Sequence, residues 1–287
     1  MDTVETRELR YFVTVAEELH FGRAAERLGM AQPPLSRAIQ QLERRLGVSL
    51  LERNRREVSL TGAGEVLLHE GRAALDAATA AARRTRRAGG ADSSRGPRNR
   101  LVLAVKAATS HELVQKLLDA YAAEPDAAEI EVLPSGMCEQ EEMLRDGRAD
   151  VAFMHTPFDS LAAFDSEELL TEAPIAILPA RHPLATRKTL CLADLTGLPD
   201  LPLARFSRHG TYPPGPGPEI HDQTQLAQLI ALGRTTAVFP ESARAWLWAE
   251  HAAVPVTDAP PVVTHIAWPA HSRSLALAGL IRTATQL

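Results

Sequence analysis

Apolar residues recur at steps of three and four along the first 46 residues, and this spacing predicts three amphipathic helices. The second stretch ends at Gly29, because glycine tolerates the positive φ of a helix C-terminus. The third opens on Gln32-Pro33-Pro34, since proline fits a first helical turn. The apolar positions are Leu9, Phe12, Val13, Ala16 and Leu19, then Ala24, Ala25 and Leu28, then Leu35, Ala38, Ile39, Leu42 and Leu46. Two helices joined by the turn Gly29-Met30-Ala31 predict a helix-turn-helix unit.

The polar face of the third helix carries side chains suited to reading DNA. With the apolar stripe turned inward, the N-terminal half of the opposite face presents Gln32, Pro33, Ser36, Arg37 and Gln40. Arginine can pair with two acceptors of guanine, glutamine with adenine, and serine with a base or a phosphate. These residues are therefore candidate major-groove contacts, although a helix face that only meets solvent would give the same pattern.

Residues 50–60 alternate apolar and polar positions around Arg53-Asn54-Arg55-Arg56, which predicts a two-stranded wing with a basic tip. Arg53 and Arg55 are candidate contacts to phosphates or to a minor groove. A solvated turn is the alternative interpretation.

A fourth helix is predicted from Thr61, as its N-cap, to about Ala88. Small apolar residues recur along it at steps of four and three, a pattern that predicts a coiled-coil seam with a second helix. The seam positions are Leu67, Gly71, Ala74, Ala78 and Ala81. An unpaired spacer helix is the alternative, and the segment Gly89–Pro97 that follows is rich in turn-forming residues and predicts a hinge.

After the hinge, short apolar runs alternate with helical spacing. Strands at 101–105, 130–133 and 151–154 enclose helices at 112–121 and 140–145, a βαβαβ order that predicts a parallel sheet. A second set of elements runs from Pro174 to Trp248, and residues 262–283 return to the first half. We expect two α/β lobes joined by crossovers near 155–162 and 257–265, with a ligand cleft at the carboxyl ends of the strands.

Charge divides unevenly along the 287 residues. Residues 1–100 hold 18 Arg, no Lys and 13 acidic residues, whereas residues 101–287 hold 13 basic and 23 acidic residues. This division favours a front part that meets a polyanion, although a GC-rich genome, which favours Arg over Lys, would also explain the number of arginines. The polar start and the lack of a long apolar run predict no secretory signal and no membrane span, so a bacterial-type cytoplasm is the simplest location.

The sequence offers no catalytic or metal-binding pattern. Cys138 and Cys191 stand far apart, which predicts no disulfide framework and no zinc site. Phosphate-binding, hydrolase and metalloprotease motifs are absent, and the ten histidines are scattered. We therefore expect no enzyme activity, no cofactor and no metal.

Several runs of the first 64 residues resemble the winged helix-turn-helix of LysR-type transcriptional regulators. They are Leu9-Arg10-Tyr11-Phe12-Val13, Ala24-Ala25-Glu26-Arg27-Leu28, Ala31-Gln32-Pro33-Pro34-Leu35-Ser36-Arg37, Leu50-Leu51-Glu52-Arg53 and Leu60-Thr61-x-x-Gly64. The resemblance implies that Gln32, Pro33, Pro34, Ser36 and Arg37 face the major groove and that Arg53 approaches the minor groove. It also implies a dimerising linker helix and a homotetramer. Gly22 departs from the family, which usually has Ser or Thr before the second helix.

The second half resembles the family's effector domain, which has two lobes like a periplasmic binding protein. The matching runs are 147–152, 192–195 and 232–242. By position, the resemblance places eight residues at the effector cleft: Thr109, Ser110, Met137, Phe206, Ser207, Arg208, Thr224 and Pro240. Hydroxyls, helix N–H groups and Arg208 suit a small carboxylate, while each residue taken alone is better explained as an ordinary cap or loop residue. A short Pro/Gly loop at 208–218 replaces a usual family helix, which would trim the second lobe.

The fold class expected is an all-α winged helix-turn-helix (1–62), a linker helix and hinge (63–97) and a two-lobed α/β effector domain (98–287). Lobe I would comprise about 98–156 and 264–287, and lobe II about 160–260. We expect a sequence-specific regulator that binds double-stranded DNA, responds to a small-molecule effector, forms homodimers or homotetramers, and has RNA polymerase as a further candidate partner. One rival is a non-specific nucleoid-type DNA binder with a vestigial cleft. Another is an enzyme or solute binder with a protein-interaction module at 1–62.

Overall fold

The computed structural model describes residues 4–53, 58–89, 100–106, 110–207, 211–270 and 272–287. The wing tip with Arg55, most of the hinge, Thr109 and Arg208 thus lie outside the described residues. The chain divides into two compact units, one of residues 1–87 with 145–147 and the other of residues 88–144 with 148–287.

The first unit is a helix-turn-helix with a wing, as predicted. Its elements are α1 (Thr6–Glu18), α2 (Phe21–Arg27), α3 (Gln32–Leu46), the antiparallel strands β1 (Leu51–Arg53) and β2 (Val58–Leu60), and α4 (Gly62–Gly89). The apolar stripes of the helices meet in one core, in which Phe12, Leu35, Ile39 and Leu42 are fully buried. Burial of these side chains supplies the main free energy that holds the three short helices together.

The helix ends explain how α2 forms without a Ser or Thr cap at Gly22. His20 takes that role, because its Nδ1 accepts hydrogen bonds from the backbone N–H groups of Gly22 and Arg23 at 3.0 and 3.2 Å. Gly29 follows α2 with φ of +65°, the left-handed conformation that favours glycine. The turn between α2 and α3 therefore has the geometry that the sequence predicted.

Helix α4 begins at a true N-cap. The Thr61 hydroxyl accepts from the Gly64 N–H at 3.0 Å and donates to the Ser49 carbonyl at 2.7 Å, which ties the helix start to the wing. Gly64 lies so near the wing that a Cβ there would stand 2.1 Å from the carbonyl oxygen of Leu50. Glycine is therefore required at this position.

The coiled-coil seam predicted along α4 is partly wrong. Gly71 is buried against α1, where a Cβ would meet Val13 and Leu9 at 3.3 and 3.4 Å, and Leu67 packs on the same core. The other three seam positions, Ala74, Ala78 and Ala81, are exposed. A spacing of four and three fits a neighbouring helix of the same chain as well as a partner helix, so only the later part of the seam is left for a partner.

The second unit contains a five-stranded mixed sheet. Its strands are β3 (Arg100–Lys106), β4 (Glu129–Ser135), β5 (Val151–Thr156), β6 (Phe164–Glu172) and β12 (Val262–Pro269), in the order β4-β3-β5-β12-β6. β3 is parallel to β4 and β5, whereas β12 runs antiparallel to β5 and β6. Helices α5 (His111–Ala122), α6 (Gln140–Arg145) and α9 (Leu275–Ala284) complete this lobe. The parallel part confirms the predicted βαβαβ order.

The second lobe is built differently from the first. β7 (Pro174–Pro179) lies between β10 (Ala237–Pro240) and β11 (His251–Pro255), and both partners run antiparallel to it. Short helices cover this sheet: α7 (Leu192–Leu195), α8 (Gln223–Ala231) and 3-10 helices at Pro183–Thr186 and Glu241–Trp246. A parallel pair, β8 (Arg205–Phe206) and β9 (Glu219–Ile220), brackets the Pro/Gly segment, whose described residues 211–218 contain no helix.

The predicted lobe boundary near 155–162 is wrong. β6 pairs with β12 along its whole length, so residues 164–172 belong to the first lobe. The chain leaves the five-stranded sheet at Glu172 and enters the three-stranded sheet at Pro174. The return lies between β11 and β12, at 256–261, which overlaps the predicted 257–265.

Candidate DNA-reading helix and effector cavity

The predicted groove face of α3 is open to solvent. Gln32, Pro33, Pro34, Arg37 and Gln40 are exposed and Ser36 is half-buried. The side chain of Arg37 lies along the helix, with its Nε donating to the Pro33 carbonyl at 3.4 Å. The same helix thus presents polar donors and acceptors on one side and its apolar stripe to the core on the other, which is the arrangement needed to enter a major groove.

The wing is fixed to α3 by one carboxylate. Glu43 Oε1 accepts the backbone N–H groups of Leu50 and Leu51 at 2.9 and 3.2 Å. These bonds hold the first wing strand beside the C-terminal half of α3. Arg53 is the last residue of that strand and pairs with Val58.

A cavity of about 300 Å³ lies between the lobes of the second unit. Its wall is mostly apolar and comes from both lobes: Met137 and Phe158 from the first, and Ala204, Phe206, Pro213, Val238, Phe239 and Pro240 from the second. Phe206 and Phe239 meet edge to face, with ring centroids 6.1 Å apart. Such a cavity fits the apolar body of a small molecule.

The polar residues of the wall are Lys106, Cys138 and His155. Lys106 ends β3, and its buried ammonium lies 3.3 Å from Oδ2 of the equally buried Asp159. The same oxygen accepts the backbone N–H of His155 at 2.7 Å. His155 Nε2 lies 3.1 Å from the Ser110 hydroxyl. A chain of buried polar groups therefore runs along the first-lobe side of the cavity.

Opposing effects set the protonation of these buried polar groups. Burial alone would raise the pKa of Asp159, but the Lys106 ammonium and the N–H of His155 more than reverse this and hold it at about 2. Burial, reinforced by the nearby positive charge of Lys106, lowers the pKa of His155 below 6.5. Near neutral pH the cavity thus holds a Lys–Asp ion pair and a neutral imidazole.

Two residues beside this cavity hold a backbone conformation that is uncommon outside glycine. Ser110 and Cys138 have φ of 55° and 61°. Ser110 precedes α5 but does not cap it with its side chain. Its carbonyl accepts the Val114 N–H at 2.9 Å, whereas its hydroxyl bonds to His155, so the side chain supports the cavity wall instead of capping the helix.

Comparison with known proteins agrees with this two-part arrangement. Residues 6–65 match the family described as "Bacterial regulatory helix-turn-helix protein, lysR family", and residues 94–287 match the "LysR substrate binding domain". The HTH-type transcriptional regulator AlsR of Bacillus subtilis is 31% identical over 256 residues, covering 84% of this chain and 82% of the relative. The chain belongs to the LysR family.

Solved structures of full-length LysR-family proteins resemble the chain along its length. BenM superposes with a TM-score of 0.52 at 26% identity, covering 99% of this chain and 96% of BenM. CbnR in complex with its target DNA gives a TM-score of 0.50 at 26% identity and 99% coverage of both chains. The chain is thus a LysR-type transcriptional regulator, with a helix-turn-helix DNA-binding domain and an effector-binding domain.

The eight residues predicted at the effector cleft of this LysR-type regulator separate into three groups. Met137, Phe206 and Pro240 line the cavity, and Ser110 supports it through His155. Ser207 and Thr224 are not part of its wall, and Thr224 is exposed on α8, where Asp222 provides the N-cap by accepting from Gln225. Thr109 and Arg208 lie outside the described residues.

Sequence reasoning missed Lys106, His155 and Asp159. A signal for two of them existed, because Lys106 and His155 interrupt apolar runs at the carboxyl ends of neighbouring parallel strands, the place where α/β sheets bind ligands. The described residues contain no group of three His, Cys, Asp or Glu placed to hold a metal ion. None of the described helices combines the length and apolarity that a membrane crossing requires.

Proposed function

We propose that this LysR-type regulator reads its operator with the N-terminal half of α3. Gln32, Arg37 and Gln40 would contact base edges, with Pro33, Pro34 and Ser36 against the groove wall and backbone. Arg53 and Arg55 of the wing would contact phosphates or the adjacent minor groove. The observation that supports this most directly is the exposure of that face of α3, while Leu35, Ile39 and Leu42 on the opposite face are fully buried.

The effector would bind in the cavity between the lobes, against Met137, Phe206 and Pro240 and near His155. Because the wall comes from both lobes, a ligand there contacts both and favours the lobe arrangement that it fits best. This differential affinity would couple the effector to the DNA-bound state. The proposed partition is residues 1–62 for DNA, 63–97 for linker and hinge, and 98–287 for the effector.

Homodimers would form through the exposed part of the α4 seam, Ala74, Ala78 and Ala81. Small residues there permit close approach of a second helix, and homotetramers would follow by pairing of dimers. Because transcription regulators act where DNA is transcribed, the cytoplasm is the proposed location and RNA polymerase a further proposed partner.

The effector domain is proposed to bind and not to catalyse. Ser110, His155 and Asp159 bring together the residue types of a hydrolase triad, but Asp159 Oδ2 stands 3.8 Å from His155 Nδ1, too far for the hydrogen bond that orients the imidazole. Ser110 is buried and does not line the cavity. Its hydroxyl is engaged with His155 Nε2 at 3.1 Å, which suits a structural role.

A matched pair of arginine variants tests the DNA assignment. Arg37 and Arg44 are both exposed and share one face of α3, two turns apart, and Arg44 lies in the C-terminal half. With duplexes selected from random DNA by the wild-type chain, Arg37→Ala should lower the preference for the selected over a scrambled duplex by about tenfold or more. Arg44→Ala should weaken both duplexes alike. Equal effects of the two variants on preference would contradict the assignment, and a wild type without any preference would favour the non-specific nucleoid-type alternative.

A further inference from the structure

Four buried polar atoms of the second unit have no hydrogen-bond partner among the described residues, and one of them belongs to His155 in the cavity wall. They are His155 Nδ1, Thr264 Oγ1, Glu172 Oε2 and Ser242 Oγ. Such atoms are few in folded proteins, and each calls for a bound water or ligand, since an unsatisfied buried group costs free energy. Finding several of them together marks a place built to receive hydrogen bonds.

The topology brings the four atoms together. Thr264 is the direct cross-strand partner of His155 on β5 and of Leu170 on β6, and Val262 is the partner of Glu172, so these side chains share one face of the sheet. The other oxygen of Glu172, Oε1, accepts the backbone N–H of Ser242 at 2.7 Å. His155 belongs both to this group and to the cavity wall. We call these four residues the orphan cluster.

The chemistry of the orphan cluster favours a hydrogen-bond donor. A carboxylate oxygen such as Glu172 Oε2 only accepts when ionised, while the two hydroxyls and the neutral imidazole can accept or donate. The charges point the same way. Among the described residues, the charges that act on His155 are the carboxyl groups of Asp159 and Glu172 and the ammonium of Lys106. In this set acidic groups outnumber the basic one, which favours a hydrogen-bond donor over an anion.

We propose that the effector carries an N–H donor, an amine or an amide, on an apolar and preferably aromatic body. The donor group enters the orphan cluster beside His155, and the body fills the cavity against Phe206 and Phe239. This inference rests on the proposed effector cavity and replaces the expected carboxylate by a ligand of opposite hydrogen-bonding polarity.

Three probes test whether the site prefers a hydrogen-bond donor: benzylamine, benzamide and benzoate. They share one aromatic ring and differ in the polar group. Their dissociation constants for the full-length wild-type chain can be measured by tryptophan fluorescence, because Trp246 packs edge to face on Phe239, with ring centroids 5.7 Å apart. Benzylamine and benzamide should bind about tenfold more tightly than benzoate, the ratio expected when one charge-assisted hydrogen bond is gained.

Glu172→Gln replaces one hydrogen-bond acceptor of the orphan cluster by a donor. The glutamine oxygen can still accept the Ser242 N–H, which directs the new amide N–H2 to the position of Glu172 Oε2. Benzylamine should then lose about tenfold in affinity and benzoate should gain. Thr264→Val, an isosteric change that removes a hydroxyl, should weaken benzylamine and benzamide severalfold. Glu167→Gln on the same strand is the control, because Glu167 is exposed, and it should leave all three affinities unchanged.

The outcomes distinguish the inference of an N–H donor from the assignment of the cavity as the effector site. If benzoate binds best, or if Glu172→Gln leaves the order of the probes unchanged, the orphan cluster holds only water and the inference is wrong, while the cavity remains the effector site. If none of the probes binds at millimolar concentration, the assignment of the cavity fails as well.

Discussion

The buried ion pair beside the effector cavity makes a quantitative prediction about stability. The side chains of Lys106 and Asp159 are 4% and 3% exposed, and their charged atoms lie 3.3 Å apart. Asp159→Asn keeps an oxygen that can accept the His155 N–H but removes the negative charge. The substitution takes away the counter-charge that lies 3.3 Å from the buried Lys106 ammonium, a change that costs about 3 kcal/mol or more at neutral pH.

The pKa of Asp159 gives an independent estimate of part of this free energy. Its usual value is 3.8 and its folded value is about 2, a difference that corresponds to about 2 kcal/mol. Because the folded pKa is the lower one, this stabilisation is complete above pH 3.8 and is lost as the pH falls. About 1 kcal/mol should be gone by pH 3 and about 2 kcal/mol by pH 2.

Urea unfolding followed by tryptophan fluorescence measures both effects, because Trp246, Trp248 and Trp268 all lie in the second unit. The gap in unfolding free energy between wild type and Asp159→Asn should narrow from pH 7 to pH 3 by about 1 kcal/mol. Lys106→Met combined with Asp159→Asn should cost less than the sum of the single changes. Asp200→Asn, an exposed carboxylate, is the control. A loss below about 1 kcal/mol for Asp159→Asn, or a gap that does not change with pH, would refute this reasoning.

For two further substitutions the structure predicts the direction of the change in stability. Gly64→Ala should destabilise the first unit by about 2 kcal/mol or more, because its Cβ would meet the Leu50 carbonyl oxygen at 2.1 Å, whereas Gly62→Ala, with nothing within 4 Å, should not. Hydrogen exchange of β1 and β2 compares Gly64→Ala with Gly62→Ala, and equal protection in both variants would argue against the close contact. Burial keeps His155 neutral in the folded protein, so the unfolding free energy of wild type should decline as the pH falls below 6.5. His155→Gln should remove part of that decline. Urea unfolding at about pH 7.5 and about pH 5.5 checks this, and an unchanged decline in the variant would count against a buried neutral His155.

The first unit could be predicted from sequence because its signals are local. The apolar steps of α1 and α3, the prolines at the start of α3 and the Thr61 cap each act within a few residues. The identity of the helix that packs on α4 is not local. Gly71 and Ala78 obey the same spacing, but one packs on α1 and the other is exposed, and only the three-dimensional course of the chain separates them.

The second unit shows where periodicity stops being informative. Strand β6 lies at the edge of its sheet and is largely exposed to solvent. Its sequence, Phe-Asp-Ser-Glu-Glu-Leu-Leu-Thr-Glu, therefore lacks the apolar run that is typical of a central strand. The apolar pattern therefore places the lobe boundary before β6, whereas the chain changes lobe after it. The polar side of the cavity depends on a contact between distant residues, since the buried Lys106 ammonium pairs with Asp159, 53 residues later in the chain.

The central claim is that α3 reads bases through Arg37, and a double-mutant cycle across the protein–DNA interface tests it most directly. Within the selected duplex, each guanine is replaced in turn by 7-deazaguanine, which lacks the N7 acceptor, and the affinities of wild type and Arg37→Ala are measured at one salt concentration. We expect one guanine at which the replacement lowers the binding free energy of wild type by about 1 kcal/mol or more and leaves that of Arg37→Ala unchanged. Losses that add independently at every guanine would contradict it.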